Sequence, residues 1–187
     1  MNPNFSFYID RPTGTLRLTR PAWTSIKVPA HSISPQGMSG APKVDNETGL
    51  FLFRGNLDNG VSLLVPMESN WKEGSPVFPY VAWAKTSDEE GSVKWEIRYK
   101  RVEALSPLGP WSDPVEGVPP VGPGATQNVT PSGFGAIDMS GKHVGTGLLF
   151  QLVRKATEDT YAKDACMFGV GVQILIDSIG SGKLTVK

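Results

Sequence analysis

The residues with which this chain could do chemistry are few: two histidines, one cysteine and 18 acidic side chains in 187 residues. His31 lies in a proline-punctuated stretch, and His143 in a Ser-Gly-Lys-His turn. A barrel-type metal site needs several histidines and a carboxylate projecting from strands. Neither histidine falls in a stretch with a strand pattern, so both read as surface residues and no metal or cofactor is expected. Gly37-Met38-Ser39-Gly40-Ala41 lacks the last glycine of a nucleophile elbow. Gly182-Lys183 has Leu184 where a phosphate loop needs Ser or Thr. Glycoside cleavage needs two carboxylates across a groove. Glu68, Glu73 and the Asp88-Glu89-Glu90 cluster read instead as solvated turn charges. The inventory points away from an enzyme. Cys166, set among apolar residues of the last strand pattern, reads as a buried structural thiol, and a single cysteine gives no intrachain disulfide.

The elements that position these residues are strands. Val93, Trp95, Ile97 and Tyr99 alternate with Lys94, Glu96, Arg98 and Lys100, the two-residue period of a half-buried strand. The stretch 50–99 reads as four strands and organises the chain. Val61, Leu63, Val65 and Met67 are the inward set of its second strand, and Asp58-Asn59-Gly60 is a hairpin signal before it. Pro66 and Pro79 mark edge strands or bulges. Trp71-Lys72-Glu73-Gly74 reads as a connection anchored by a buried tryptophan, with a ligand-contacting loop as the alternative. Thr126–Thr130 and Phe134–Asp138 read as strands flanking Pro131-Ser132-Gly133. In the last strand Cys166, Phe168, Val170, Val172, Ile174 and Ile176 share one face. Gly169 and Gly171 on the other face suggest close approach of another backbone, as in an oligomer, or a sharp bend. With 21 glycines and 16 prolines, the composition suits a turn-rich, all-β chain.

Residues 1–45 differ from the rest. Phe5, Phe7, Tyr8 and Trp23 are spaced among Arg11, Arg17 and Arg20, and prolines recur throughout. Proline favours extended backbone, although 15–19 has the pattern of a short strand. The segment reads either as a strap over its own domain or as an arm docking on a neighbouring subunit, with aromatic and arginine anchors. Residues 46–187 form the β-domain. A Pro/Gly-rich excursion at 106–124 carries Trp111 and reads as a solvated loop or as a contact loop.

Lysine plus arginine equals aspartate plus glutamate, 18 each. A nucleic-acid binder would show a basic surplus or run, and none is present. No apolar stretch approaches the ~20 residues that span a bilayer, and Met1-Asn2-Pro3-Asn4 opens no secretory signal. Synthesis in a cytoplasm is expected.

The block Trp71-Lys72-Glu73-Gly74-Ser75, the strand Pro79-Tyr80-Val81-Ala82-Trp83 and the block Asp159-Thr160-Tyr161-Ala162-Lys163-Asp164-Ala165 occur in the order found in a family of tailed-bacteriophage virion proteins with a jelly-roll domain. The chain resembles that family from about residue 50 onward. Relatives often carry histidines in the second block; Tyr80 and Ala82 stand here, so no role tied to such histidines carries over. The resemblance implies an antiparallel jelly-roll sandwich and a structural part on the capsid surface of a virion. The role implied is that of a cement or decoration protein, assembled as a homotrimer on the major capsid protein and made in the host cytoplasm. Candidate partner-binding residues are Phe5, Phe7, Tyr8, Arg11, Arg17, Arg20, Trp23 and Trp111. The alternative is a receptor- or glycan-binding fibre or tail module, with Trp71 or Trp111 as a stacking platform for a host-surface glycan.

Overall fold

In chain order the strands are β1 (Phe7–Asp10), β2 (Thr15–Pro29), β3 (Lys43–Val44), β4 (Phe51–Phe53), β5 (Asn59–Pro66), β6 (Phe78–Lys85), β7 (Trp95–Val102), β8 (Val115–Glu116), β9 (Thr130–Gly133), β10 (Gly147–Arg154) and β11 (Ala165–Ser178). They come from a computed structural model that describes residues 6–12, 14–35, 40–117 and 129–179. Among these residues the only helical element is a 3-10 turn at Ala30–Ser32.

The protein is an all-β antiparallel sandwich of jelly-roll type. β11 is the spine of a seven-stranded sheet. One edge of β11 pairs first with β4 and then with β2, and the other pairs with β6. β3, β1 and β9 lie outside β4, β2 and β6 respectively. The second sheet runs β5-β10-β7-β8. From β4 to β7 the chain changes sheet at every step, so the 50–99 stretch builds both layers at once.

The two inner faces carry the inward sets read from the sequence. Val61, Leu63, Val65 and Met67 are buried, as are Val93, Trp95 and Ile97. Burying each aliphatic side chain of this size contributes roughly 1.5–3 kcal/mol. Trp95 on one sheet meets Phe53 edge-on at 4.9 Å and Trp83 at 6.1 Å on the other. Trp83 resolves its polar edge by donating Nε1–H to Ser132 Oγ at 2.9 Å.

Five local expectations are corrected. First, Asp58-Asn59-Gly60 does not close a hairpin, because β4 pairs with β11 and β3 while β5 pairs with β10. It is a corner between sheets: Asn59 is fully buried, and its Oδ1 accepts the Arg54 N–H at 2.6 Å. Second, the strand lies on Pro131-Ser132-Gly133 itself, as part of β9 paired with β6, and Phe134–Asp138 is not a strand. Third, Pro66 lies on edge strand β5, but β6 is paired on both sides. Pro79 is tolerated there as the second residue of that strand. Fourth, the register of β11 slips between Met167 and Gly169. This bulge moves Cys166 and Phe168 off the buried face, which is made by Ala165 and Met167 before it and by Val170, Val172 and Ile174 after it. Cys166 is therefore partly exposed, with partial burial pushing its thiol pKa up. Fifth, the two strand glycines meet atoms of their own chain. A Cβ at Gly169 would lie 2.5 Å from Val28 O, and one at Gly171 would lie 2.2 Å from the Tyr80 ring. The close approach read from these glycines is therefore internal.

The N-terminal segment is extended, as proline content predicts, but it is not set apart from the sandwich. Ala22–Pro29 pair in continuous register with Gly169–Ile176, and Ile26 and Val28 pack against the core. The β1–β2 hairpin continues this edge, with Arg17 opposite Ser178 and the Ile179 N–H bonded to Leu16 O.

Candidate binding surfaces

β1 pairs with β2 alone, as the outermost strand of the larger sheet. Phe7, Tyr8 and Ile9 are 47%, 49% and 66% exposed. Consecutive strand residues point to opposite sides, so both sides of this hairpin are apolar and open. Leu16 opposite Ile9 is exposed as well. Arg17 is not a free anchor. Its Nη1 meets Asp177 at 2.8 Å and its Nε meets Asp10 at 3.3 Å, which ties the hairpin to the end of β11. Arg11 and Arg20 are exposed. Phe5 lies outside the described residues.

The outer face of the larger sheet is a second apolar surface. Trp23 is 56% exposed and meets Phe78 edge-on at 5.5 Å. In the next rows the Tyr80 ring lies over Gly171, and Phe168 rims a shallow hollow beside Pro29 and Ala82. Tyr80 and Ala82, the departures from the virion-family block, both belong to this face.

The third surface forms where the chain leaves β7 and doubles back. Tyr99 N–H donates to Ser112 Oγ at 3.0 Å and Ser112 N–H returns a bond to Tyr99 O at 2.9 Å. This pins residues 107–113 beside the end of β7. Between them lies an open cleft of about 610 Å³, lined by Tyr99, Lys100, Arg101, Trp111, Asp113 and Lys142 among others. The Lys100 ammonium is 4.9 Å from the centre of the Trp111 ring, and the Arg101 guanidinium 5.4 Å from that of Tyr99. Of the 106–124 excursion, residues 106–117 are thus folded onto β7, and the remainder lies outside the described residues.

The other chemical candidates do not converge. His31 is exposed in the 3-10 turn. His143 is exposed and its Nδ1 lies 3.3 Å from Glu73. The Val144 N–H bond to Glu73 at 2.8 Å, more than His143, holds that carboxyl below its usual range, against the opposing effect of burial. Glu89 pairs with Lys163 at 3.1 Å. Gly37–Ser39 and Gly182-Lys183 lie outside the described residues. Trp71 is 1% exposed, with its loop pinned by the Lys72 N–H bond to Leu175 O. It anchors a connection, and it cannot offer a ring face to a sugar.

Sequence reasoning singled out Trp111 and the hairpin aromatics but missed Lys100, Arg101 and Lys142. Lys100 looked like one more solvated charge of an alternating strand, and Lys142 comes from a distant turn. Nothing in the spacing says that the excursion folds back over them.

No protein-family model matches the chain, and no curated protein matches it by sequence. Among solved structures, the dimeric latent PorU from Porphyromonas gingivalis overlaps at 13% identity and a TM-score of 0.30. That overlap covers 84% of this chain but only 13% of PorU. The structure of TmCBM61 in complex with β-1,4-galactotriose overlaps at 13% identity and a TM-score of 0.31, covering 80% of this chain and 86% of that one. Both overlaps are distant, and the sandwich described above rests on its own strand pairing.

Proposed function

We propose that this is a non-enzymatic structural protein that stabilises a virion shell by bridging the subunits beneath it. The observation that carries the reading is the β1–β2 hairpin. A strand pair at the outer edge of the larger sheet, tied to the end of β11 by an ion-paired arginine, keeps Phe7, Tyr8, Ile9 and Leu16 exposed. Exposed apolar clusters of this kind mark interaction sites, and aromatic side chains are the usual anchors of such contacts. The resemblance of three sequence blocks to tailed-phage jelly-roll proteins supplies the partner, a major capsid protein. The action is mechanical: a short, rigid strand pair laid across a subunit junction holds both sides.

Co-sedimentation with assembled capsid shells tests this. Wild-type protein is expected to pellet with shells, and the triple variant Phe7→Ser, Tyr8→Ser, Ile9→Ser to stay in solution with an unchanged melting temperature. Undiminished binding by the triple variant, or no binding by the wild type, would sink the reading.

A further inference from the structure

We propose that the cleft between β7 and the 107–113 segment binds a saccharide bearing a carboxylate, a site separate from the hairpin. Its volume, about 610 Å³, falls within the roughly 300–1,000 Å³ typical of small-ligand pockets. Its lining combines two aromatic rings, Tyr99 and Trp111, with charges of both signs. Aromatic faces take the C–H face of a pyranose, and the charged groups take its polar substituents.

The charges are not equivalent. Lys142 is spent on Glu103, with which it forms an ion pair. Arg101 donates Nη2–H to the Asp138 carbonyl at 2.6 Å, and its Nε is buried without a hydrogen-bond partner. Lys100 has no ion pair among the described residues and rests its ammonium against the Trp111 ring. A sugar laid on Trp111 therefore meets a cation at the ring itself. A carboxylate on that sugar pairs with Lys100, while its hydroxyls donate to Asp113 and Glu103. A neutral sugar leaves Lys100 to be desolvated without compensation.

The site is built before any ligand arrives. The paired bonds between Tyr99 and Ser112 fix the Trp111 backbone against β7, and Ser112 Oγ–H closes onto Asp113 O at 2.9 Å. Little ordering entropy remains to be lost on binding. An acidic peptide fits less well. Ser112 and β8 already occupy the backbone edge of β7, so a peptide has no row of N–H and C=O groups there on which to add a strand.

Titration calorimetry on the full chain tests the assignment with a short oligogalacturonate, sialyllactose, a neutral cello-oligosaccharide and a polyglutamate peptide. At least one acidic saccharide is expected to bind, more tightly than the neutral one and more weakly as salt rises. Trp111→Ala is expected to weaken that binding about tenfold or more, the scale of losing an aromatic anchor. Lys100→Gln should erase the preference for acidic over neutral sugar. Lys100 is only half-buried and carries no ion pair among the described residues, so this variant carries the test even if Trp111→Ala lowers the melting temperature. Equal binding of acidic and neutral sugars overturns the proposal. So does a preference unmoved by Lys100→Gln, tighter binding of polyglutamate, or no saccharide binding at millimolar concentration. None of these outcomes bears on the hairpin, whose test uses capsid shells.

Discussion

At the scale of single residues, the last of the three blocks that carried the family resemblance is architectural. Arg154 is fully buried and its Nε meets Asp159 at 2.8 Å, with Asp159 equally enclosed. Nη1 donates to the carbonyls of Phe53 and Lys163, and Nη2 to the carbonyl of Tyr161 and to Asp159 Oδ1. Tyr161 in turn accepts the backbone N–H groups of Thr86 and Ser87 at its hydroxyl. The Asp159–Ala165 block is thus a clamp on β10 and not a binding motif. Arg154→Ala leaves a buried carboxylate and three carbonyls unpaired and should lower stability by roughly 3–5 kcal/mol, read by chemical denaturation. Replacing Arg154 and Asp159 together with apolar residues should recover part of that loss. Asp58 offers a pH test at the same scale. Burial pushes its pKa up, but hydrogen bonds from Lys155 and Thr157 outweigh this and hold it below the usual 3.8. A depressed carboxyl stabilises the fold above its unfolded pKa, and that contribution disappears as pH falls through the folded value. Asp58→Asn should therefore destabilise by about 1–2 kcal/mol at pH 7 and by less once pH has fallen through the folded value. An equal loss at both pH values would mean that packing, not charge, is what Asp58 supplies.

At the scale of elements, legibility followed the period of the pattern. β5 and β7 alternate without interruption, and their buried sets were readable residue by residue. β11 was readable as a strand, but its face was misassigned before Gly169, because a bulge adds one residue without leaving a compositional mark. β2 was the larger miss. Its outward row of Trp23, Ser25, Lys27 and Pro29 does alternate with the core-facing Ile26 and Val28, yet the prolines around them read as an extended strap or arm. What decides the matter is pairing with β11, a partner more than a hundred residues away that local sequence does not show. The consequence is testable by truncation. Removing residues 1–12 takes away β1, which only β2 contacts through strand pairing, and should leave a folded protein. Removing residues 1–29 strips one edge of β11 from Gly169 to Ser178 and exposes Val170, Val172 and Ile174 from one side. That variant should aggregate or lose its cooperative melt. If it folds as well as the shorter truncation, β2 is an appendage after all.

At the scale of the whole molecule, sequence alone indicated an all-β sandwich because turn residues and two-residue periods are local. Surfaces were less legible, because each is assembled from strands distant in sequence. The outer face of the larger sheet shows this: Trp23 from β2, Phe78 and Tyr80 from β6 and Phe168 from β11 meet only in the fold. Exposed apolar faces of this kind are a common mark of protein contacts, and this one lies on the sheet that also bears the hairpin. Association of copies through it would present several hairpins at once, so that modest contacts to a shell add up by effective concentration. With 18 basic and 18 acidic residues, no net charge keeps copies apart. Three copies, the number implied by the resemblance to the virion proteins, are the expected result of light scattering at micromolar concentration. Trp23→Ser should shift the mass toward one copy while barely moving the melting temperature of the monomer, because the ring is more than half exposed and rests on Phe78 alone among aromatic partners. If the wild type stays monomeric both in solution and on shells, avidity cannot contribute, and each hairpin must hold its junction singly.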